Sequence, residues 1–147
     1  MTPVLVFDIE TVPDVAGLRR AHAIVPDLPD AAVLDWFAQK RRLQTGGDFL
    51  PLQFQQVVAI ACALRDGGGF KIASVGTAED AEPELIRRFF DLIDKHTPQL
   101  VSWNGGGFDL PVLNYRALIH GVTAARYWDW GDDNRDFKYN SYLGRYH

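Results

Sequence analysis

A chain of 147 residues with 47% hydrophobic and 12% aromatic composition can bury one ordinary core, so a single globular domain is expected. A net charge of −4 weighs against a passive nucleic-acid coat, which needs clustered Lys and Arg to displace counterions, but does not exclude an enzyme that touches nucleic acid transiently. One cysteine excludes an internal disulfide, and no run approaches the roughly 20 apolar residues of a membrane span, which leads us to expect a soluble, cytoplasmic protein with no membrane partner.

The first element expected is a strand at Val4 to Asp8, a β-branched and aromatic run that suits burial on both faces. Residues 11–30 carry Pro13, Pro26 and Pro29 and read as a loop-rich connection with at most a short helix near Ala16 to Ile24. Asp30 is placed to cap a helix from Ala31 to Gln44, whose apolar residues Val33, Leu34, Trp36, Phe37 and Leu43 recur at helical spacing, with Gly46 and Gly47 to stop it.

Two β-rich runs at 56–65 and 70–75, joined by Asp66-Gly67-Gly68-Gly69, predict an antiparallel hairpin. Cys62 lies in the first run, within "VVAIACAL", and packs there as a small hydrophobe. A helix starting between Thr77 and Pro83 follows, with Leu85, Ile86, Phe89, Phe90 and Ile93 on its apolar face. "PQLVSWN" is a short strand, and a last helix runs from about Leu110 to Ile119, with Pro111 in its first turn and Gly121 beyond its end. Beyond Gly121 the aromatic and polar tail shows no periodicity, and no element is expected there.

Asp8 and Glu10, in "VLVFDIET", stand two residues apart at the end of the first strand and so share a face, about 6–7 Å apart along the chain. At an effective dielectric near 20 their charges repel by about 3 kcal/mol. Water, a basic side chain (Arg19 and Arg20 are nearest in sequence) or a divalent cation could offset that cost. A hard cation such as Mg2+ or Mn2+ selects oxygen ligands of this kind. A further acid, Asp109, follows Phe108 at a helix start, where the dipole favours a carboxylate. Before it, Gly105, Gly106 and Gly107 permit close backbone approach, Asn104 can hydrogen-bond a sugar or base, and Phe108 can stack. Taken singly, the pair is a common coincidence, Asp109 a helix-start acid, Asn104 a turn residue and Phe108 a core aromatic.

Jointly, "FDIET" and "NGGGFD" resemble the first two motifs of the DEDD-type 3′–5′ exonucleases, which have a ribonuclease-H-like fold. With "VVAIACAL" and "FDLPVL", the chain resembles more narrowly the bacterial predicted exonucleases related to the proofreading domain of family B DNA polymerases. The resemblance implies an α/β fold, a mixed sheet with flanking helices. It implies two Mg2+ or Mn2+ ions held by Asp8, Glu10 and Asp109 as catalytic and metal-binding residues, and Thr11, Asn104 and Phe108 on the substrate side. The implied partner is nucleic acid, DNA before RNA, cut from its 3′ end.

The family's third motif, Tyr-x3-Asp or His-x4-Asp near the C-terminus, has no Tyr-x3-Asp counterpart here. The one His-x4-Asp, His22 to Asp27, falls before the hairpin and reads as chance spacing. Residues 1–147 are therefore expected to be the N-terminal part of a single exonuclease domain, truncated at the C-terminus, with His147 an artificial end and activity weak or absent. Lys40, Arg41, Arg42, Arg87, Arg88, Arg116 and Arg126 could guide a phosphate backbone, although solvated helix faces account better for the first five. The alternatives are a non-catalytic nucleic-acid-binding or interaction module of the same fold, and an endonuclease of the ribonuclease H kind.

Overall fold

The structure is a computed structural model that describes residues 2–129. His147 and the tail from residue 130 lie outside the described residues. The chain divides into two compact units, Met1–Glu10 with Val57–His147, and Thr11–Gln56.

The first unit is built on a sheet of order β3-β2-β1-β4, comprising β1 (Val4–Pro13), β2 (Gln55–Asp66), β3 (Gly69–Ser74) and β4 (Gln99–Val101). β1 and β4 are parallel and β2 and β3 antiparallel, so the sheet is mixed, as expected. The hairpin closes more tightly than its glycines suggest. Asp66 pairs with Gly69, leaving Gly67 and Gly68 as the loop, and of these three glycines Gly69 alone has positive φ.

β1 corrects an expectation. Leu5, Phe7 and Ile9 are buried while Val6 is 44% exposed and Asp8 and Glu10 are exposed, so the strand alternates instead of being buried on both faces. An unbroken apolar run hides its period when the outward positions are also apolar, as Val4 and Val6 are. The strand also runs on to Pro13, into residues expected to be loop.

The covered face meets α3 (Glu82–His96), where Leu85, Ile86, Phe89, Phe90 and Ile93 are all at most 2% exposed. The Phe7 and Phe89 rings lie 4.9 Å apart. Pro83 stands in the first turn, where its missing N–H costs nothing. The outer side of the helix carries Arg87 and Arg88, both paired with Glu84. Those two guanidiniums hold the Glu84 carboxyl down at about 2.

α4 (Leu110–His120) packs on α3, buries Leu110, Val112, Leu113 and Ala117, and ends at Gly121 with φ 65°. Between the two helices lies a buried ionic cluster. Glu82 accepts the Val57 N–H at 2.7 Å and Arg116 Nε at 2.7 Å, and lies 2.6 Å from His120 Nε2. Arg116 is 2% exposed, which removes it from the residues expected to guide a phosphate backbone. Its partner is 34 residues away in sequence, beyond the reach of local pattern.

The second unit holds α1 (Val15–His22) and α2 (Asp30–Thr45). Asp14 caps α1 by accepting the Gly17 N–H at 2.7 Å. A Cβ on Gly17 would come within 2.5 Å of that carboxylate. Asp30 is the first residue of α2 rather than its cap, a position taken by Pro29 with no side-chain bond. The Asp30 carboxylate pairs instead with Arg19 at 2.7 Å. Gly46 stops the helix with φ 78°. Leu18, Val33 and Phe37 form the core of this unit, and a 3₁₀ turn at Leu52–Phe54 leads into β2. Among the described residues no helix is long and apolar enough to cross a membrane.

Candidate active site

The parallel pairing of β1 with β4 decides which residues meet at one end of the sheet. Val4, Leu5 and Val6 register with Gln99, Leu100 and Val101. Two residues further on, one chain has reached Asp8 and the other Trp103. Past the last pair, Asp8 and Glu10 in the second half of β1 and the segment Asn104–Asp109 after β4 therefore lie toward the same end of the sheet. In open α/β sheets ligands bind outside the carboxyl ends of the strands.

Asp8 and Glu10 lie on the open face of β1. Among the described residues neither forms an ion pair. Arg19 is engaged by Asp30 and by the Val25 carbonyl at 3.0 Å, so it does not neutralise them. Of the ways to offset their repulsion, water and a cation are left.

The motif after β4 is a π-helical turn, Gly105–Asp109, that runs straight into α4. Such turns insert one residue into a helix and are frequent at functional sites. The Asn104 carbonyl accepts the Phe108 N–H at 2.8 Å and the Gly107 N–H at 3.1 Å. The Asn104 side chain lies over Gly107, where a Cβ would fall 2.5 Å from its Oδ1. Gly105 is also confined, by Ser102 at 3.0 Å, whereas Gly106 has open space around it. The triple glycine thus contains two packing requirements and one free position.

Asn104 is exposed and Phe108 half-buried, both consistent with contact to a ligand. Asp109 is 4% exposed at the start of α4. Thr11 belongs to the second unit, where its hydroxyl donates to Gln55 Oε1 at 2.9 Å.

Two hard oxygen donors on one open face suit a divalent cation, and Asp8 and Glu10 fit that role. Among the described residues, no three His, Cys, Asp or Glu side chains converge closely enough to hold an ion. The structure therefore supplies the pair and not the assembled trio with Asp109.

Trp103 was missed by sequence reasoning. It is 101% exposed, at the end of β4 beside Asn104. The available signal was an indole between Ser102 and Asn104 at a strand terminus, a place where packing rarely demands one. The Glu82, Arg116 and His120 cluster was missed as well. Its only local trace is an acid at the first position of α3.

The chain spans a small part of the proteins it resembles. It is 53% identical over 38 residues, 26% of its own length, to "DNA polymerase 1" of Sulfurisphaera ohwakuensis, of which it covers 4%. It superposes on the family B DNA polymerase from the archaeon Pyrobaculum calidifontis with a TM-score of 0.45 and 22% identity, over 84% of this chain and 12% of that one. Residues 47–147 match the family described as "Predicted 3'-5' exonuclease related to the exonuclease domain of PolB", a stretch that takes in the Asn104–Asp109 turn but starts after Asp8 and Glu10. That match extends over more than half of the chain, which belongs to this family of PolB-like exonuclease domains.

Proposed function

We propose that the chain is a divalent-metal-dependent 3′–5′ exonuclease acting on single-stranded nucleic-acid ends, DNA before RNA. The observation that supports this reading is the parallel β1–β4 register, by which Asp8 and Glu10 point toward the same end of the sheet as Asn104–Asp109. The family membership supports the reaction class. The name of the sequence relative, a DNA polymerase, favours DNA.

Asp8 and Glu10 hold the cation side of the site, with Asp109 as the third acid. Bound Mg2+ or Mn2+ would supply a nucleophilic water at neutral pH and stabilise the attacking and leaving oxygens at phosphorus. Asn104 hydrogen-bonds the terminal nucleotide. Phe108 and the wholly exposed Trp103 offer aromatic faces on which unpaired bases stack, each worth about 1–3 kcal/mol by alanine substitution.

Digestion of a 5′-labelled single strand in Mn2+ tests the reaction, and Mn2+ binding followed by calorimetry tests the site separately. At most slow shortening from the 3′ end, in line with the weak activity expected of residues 1–147, and Mn2+ binding lost in Asp8→Ala, are expected. A wild-type chain that binds no Mn2+ would remove the metal-dependent reading. The lack of an assembled acid trio among the described residues favours a second reading, a nucleic-acid-binding module. Its signature is single-strand affinity indifferent to Mn2+ and to Asp8→Ala.

A further inference from the structure

β3 is the outer strand of the sheet, and every residue from Gly69 to Ser74 is exposed. Edge strands are usually guarded by proline, bulges or several charges, because their unpaired backbone groups recruit another strand. Here the ladder runs unbroken from Ala61–Ser74 to Asp66–Gly69, and Lys71 is the one charged residue in the strand. Phe70 is 66% exposed and Ile72 72%.

The hairpin determines which backbone groups face outward. Residues that close a two-residue loop form a hydrogen-bonded pair, and bonded and non-bonded pairs alternate from there. With Asp66 and Gly69 closing the loop, Gly69, Lys71 and Ala73 turn their N–H and C=O toward β2. The alternation continues correctly to Val75, whose N–H donates to the Ile60 carbonyl at 2.8 Å. Phe70, Ile72 and Ser74 therefore turn theirs to the outer edge, where β3 has no neighbouring strand among the described residues.

We propose that this edge pairs antiparallel with the same edge of a second copy of the chain, about a two-fold axis through Ile72. The side chains select that register. Centred on Ile72, the outward residues pair as Ile72 with its symmetry mate and Phe70 with Ser74, each a hydrogen-bonded pair, and Lys71 stands opposite Ala73. Centring on Lys71 sets two ammonium groups face to face, which destabilises a cross-strand pair. Centring on Ala73 carries Phe70 past the end of the partner strand.

Both faces of the edge suit a meeting with its own copy. On one, Phe70 and Ile72 of the two chains gather into a single apolar patch. On the other lies a groove of about 660 Å³, floored by Leu64, Ala73, Val75 and Leu92. It is lined by charges of both signs, Lys71, Arg88 and Lys95 with Asp66 and Asp91, which two copies can match against each other.

The test is sedimentation of the full chain at micromolar and higher concentrations, where a mass twice 16.5 kDa is expected. Ile72→Lys places like charges on the axis. Ile72→Pro deletes an outward N–H while sparing every bond to β2. Both variants are expected to run as monomers with unchanged circular dichroism. Ile72→Cys is an independent readout. A bonded antiparallel pair has Cα atoms about 5.5 Å apart, within disulfide range, so this variant crosslinks under mild oxidant while Lys71→Cys does not. A monomeric wild type, or a dimer that survives Ile72→Lys and gives no crosslink in Ile72→Cys, overturns the proposal.

Discussion

Gly106 and Gly107 are neighbours in one turn with opposite tolerances. A methyl group at Gly106 meets nothing, while at Gly107 it strikes the Asn104 amide at 2.5 Å. Under the proposed function, Gly107→Ala is expected to displace Asn104 and weaken single-strand binding several-fold, and Gly106→Ala to leave it unchanged, as read by fluorescence anisotropy. Cys62 is the other residue whose surroundings decide its chemistry. Burial pushes its thiol up to about 12, and the thiolate is the reactive form. The folded protein should resist thiol reagents at pH 8 and the unfolded chain should react at once, a difference that absorbance of a disulfide reagent measures. This inertness also keeps Cys62 from interfering with crosslinking at an engineered cysteine.

Among the elements, α1 and α2 are joined by a ring cluster that titrates. His22 lies 5.4 Å from both Trp36 and Phe37, and burial, then Lys40, lowers its pKa from 6.5. Its folded value is below its unfolded one, so the folded state binds fewer protons. Stability is therefore complete above pH 6.5 and falls as pH drops through that value toward the folded pKa. Thermal melts from pH 8 to 5 should show a fall that is reduced in His22→Phe. At the same scale, Gly17→Ala crowds the Asp14 cap and should cost about 1–2 kcal/mol in denaturant melts, the range of a lost N-cap. Elements with a strong period were the legible ones. The apolar face of α3 was readable to the residue, since all five of its named positions are buried. The π-helical turn was not, because three glycines in succession carry no period and no side-chain pattern. The open face of β1 was concealed by valines at outward positions. The position of Asp8 and Glu10 on one face was legible from the period of two. The convergence of Asp109 on them was an inference from resemblance, and the described residues do not assemble it.

At the scale of the whole molecule, one carboxylate ties the sheet to both of its helices. Glu82 takes donors from β2 and α4 while standing on α3. Glu82→Ala would remove the ion-pair partner of the buried Arg116 guanidinium, a change expected to cost about 3–5 kcal/mol, measurable by urea unfolding. Paired as the β3 edge suggests, two copies would form one continuous sheet. Four strands would then lie between the two β1 strands, setting them roughly 24 Å apart at five strand spacings. The Asp8 and Glu10 pairs would open to the same side.

The Glu82 cluster also bears on how sequence variants of this chain would be read. α4 begins at the turn that carries Asn104 and Phe108 and ends at the residues that Glu82 holds. A helix anchored by its last turn transmits slack to its first, so changes at Arg116 or His120 would blur the placement of groups a full helix length away. Under the proposed function, a screen for lost nuclease activity would score such variants alongside changes at Asp8, and a map drawn from activity alone would place an active-site residue where there is only a structural anchor.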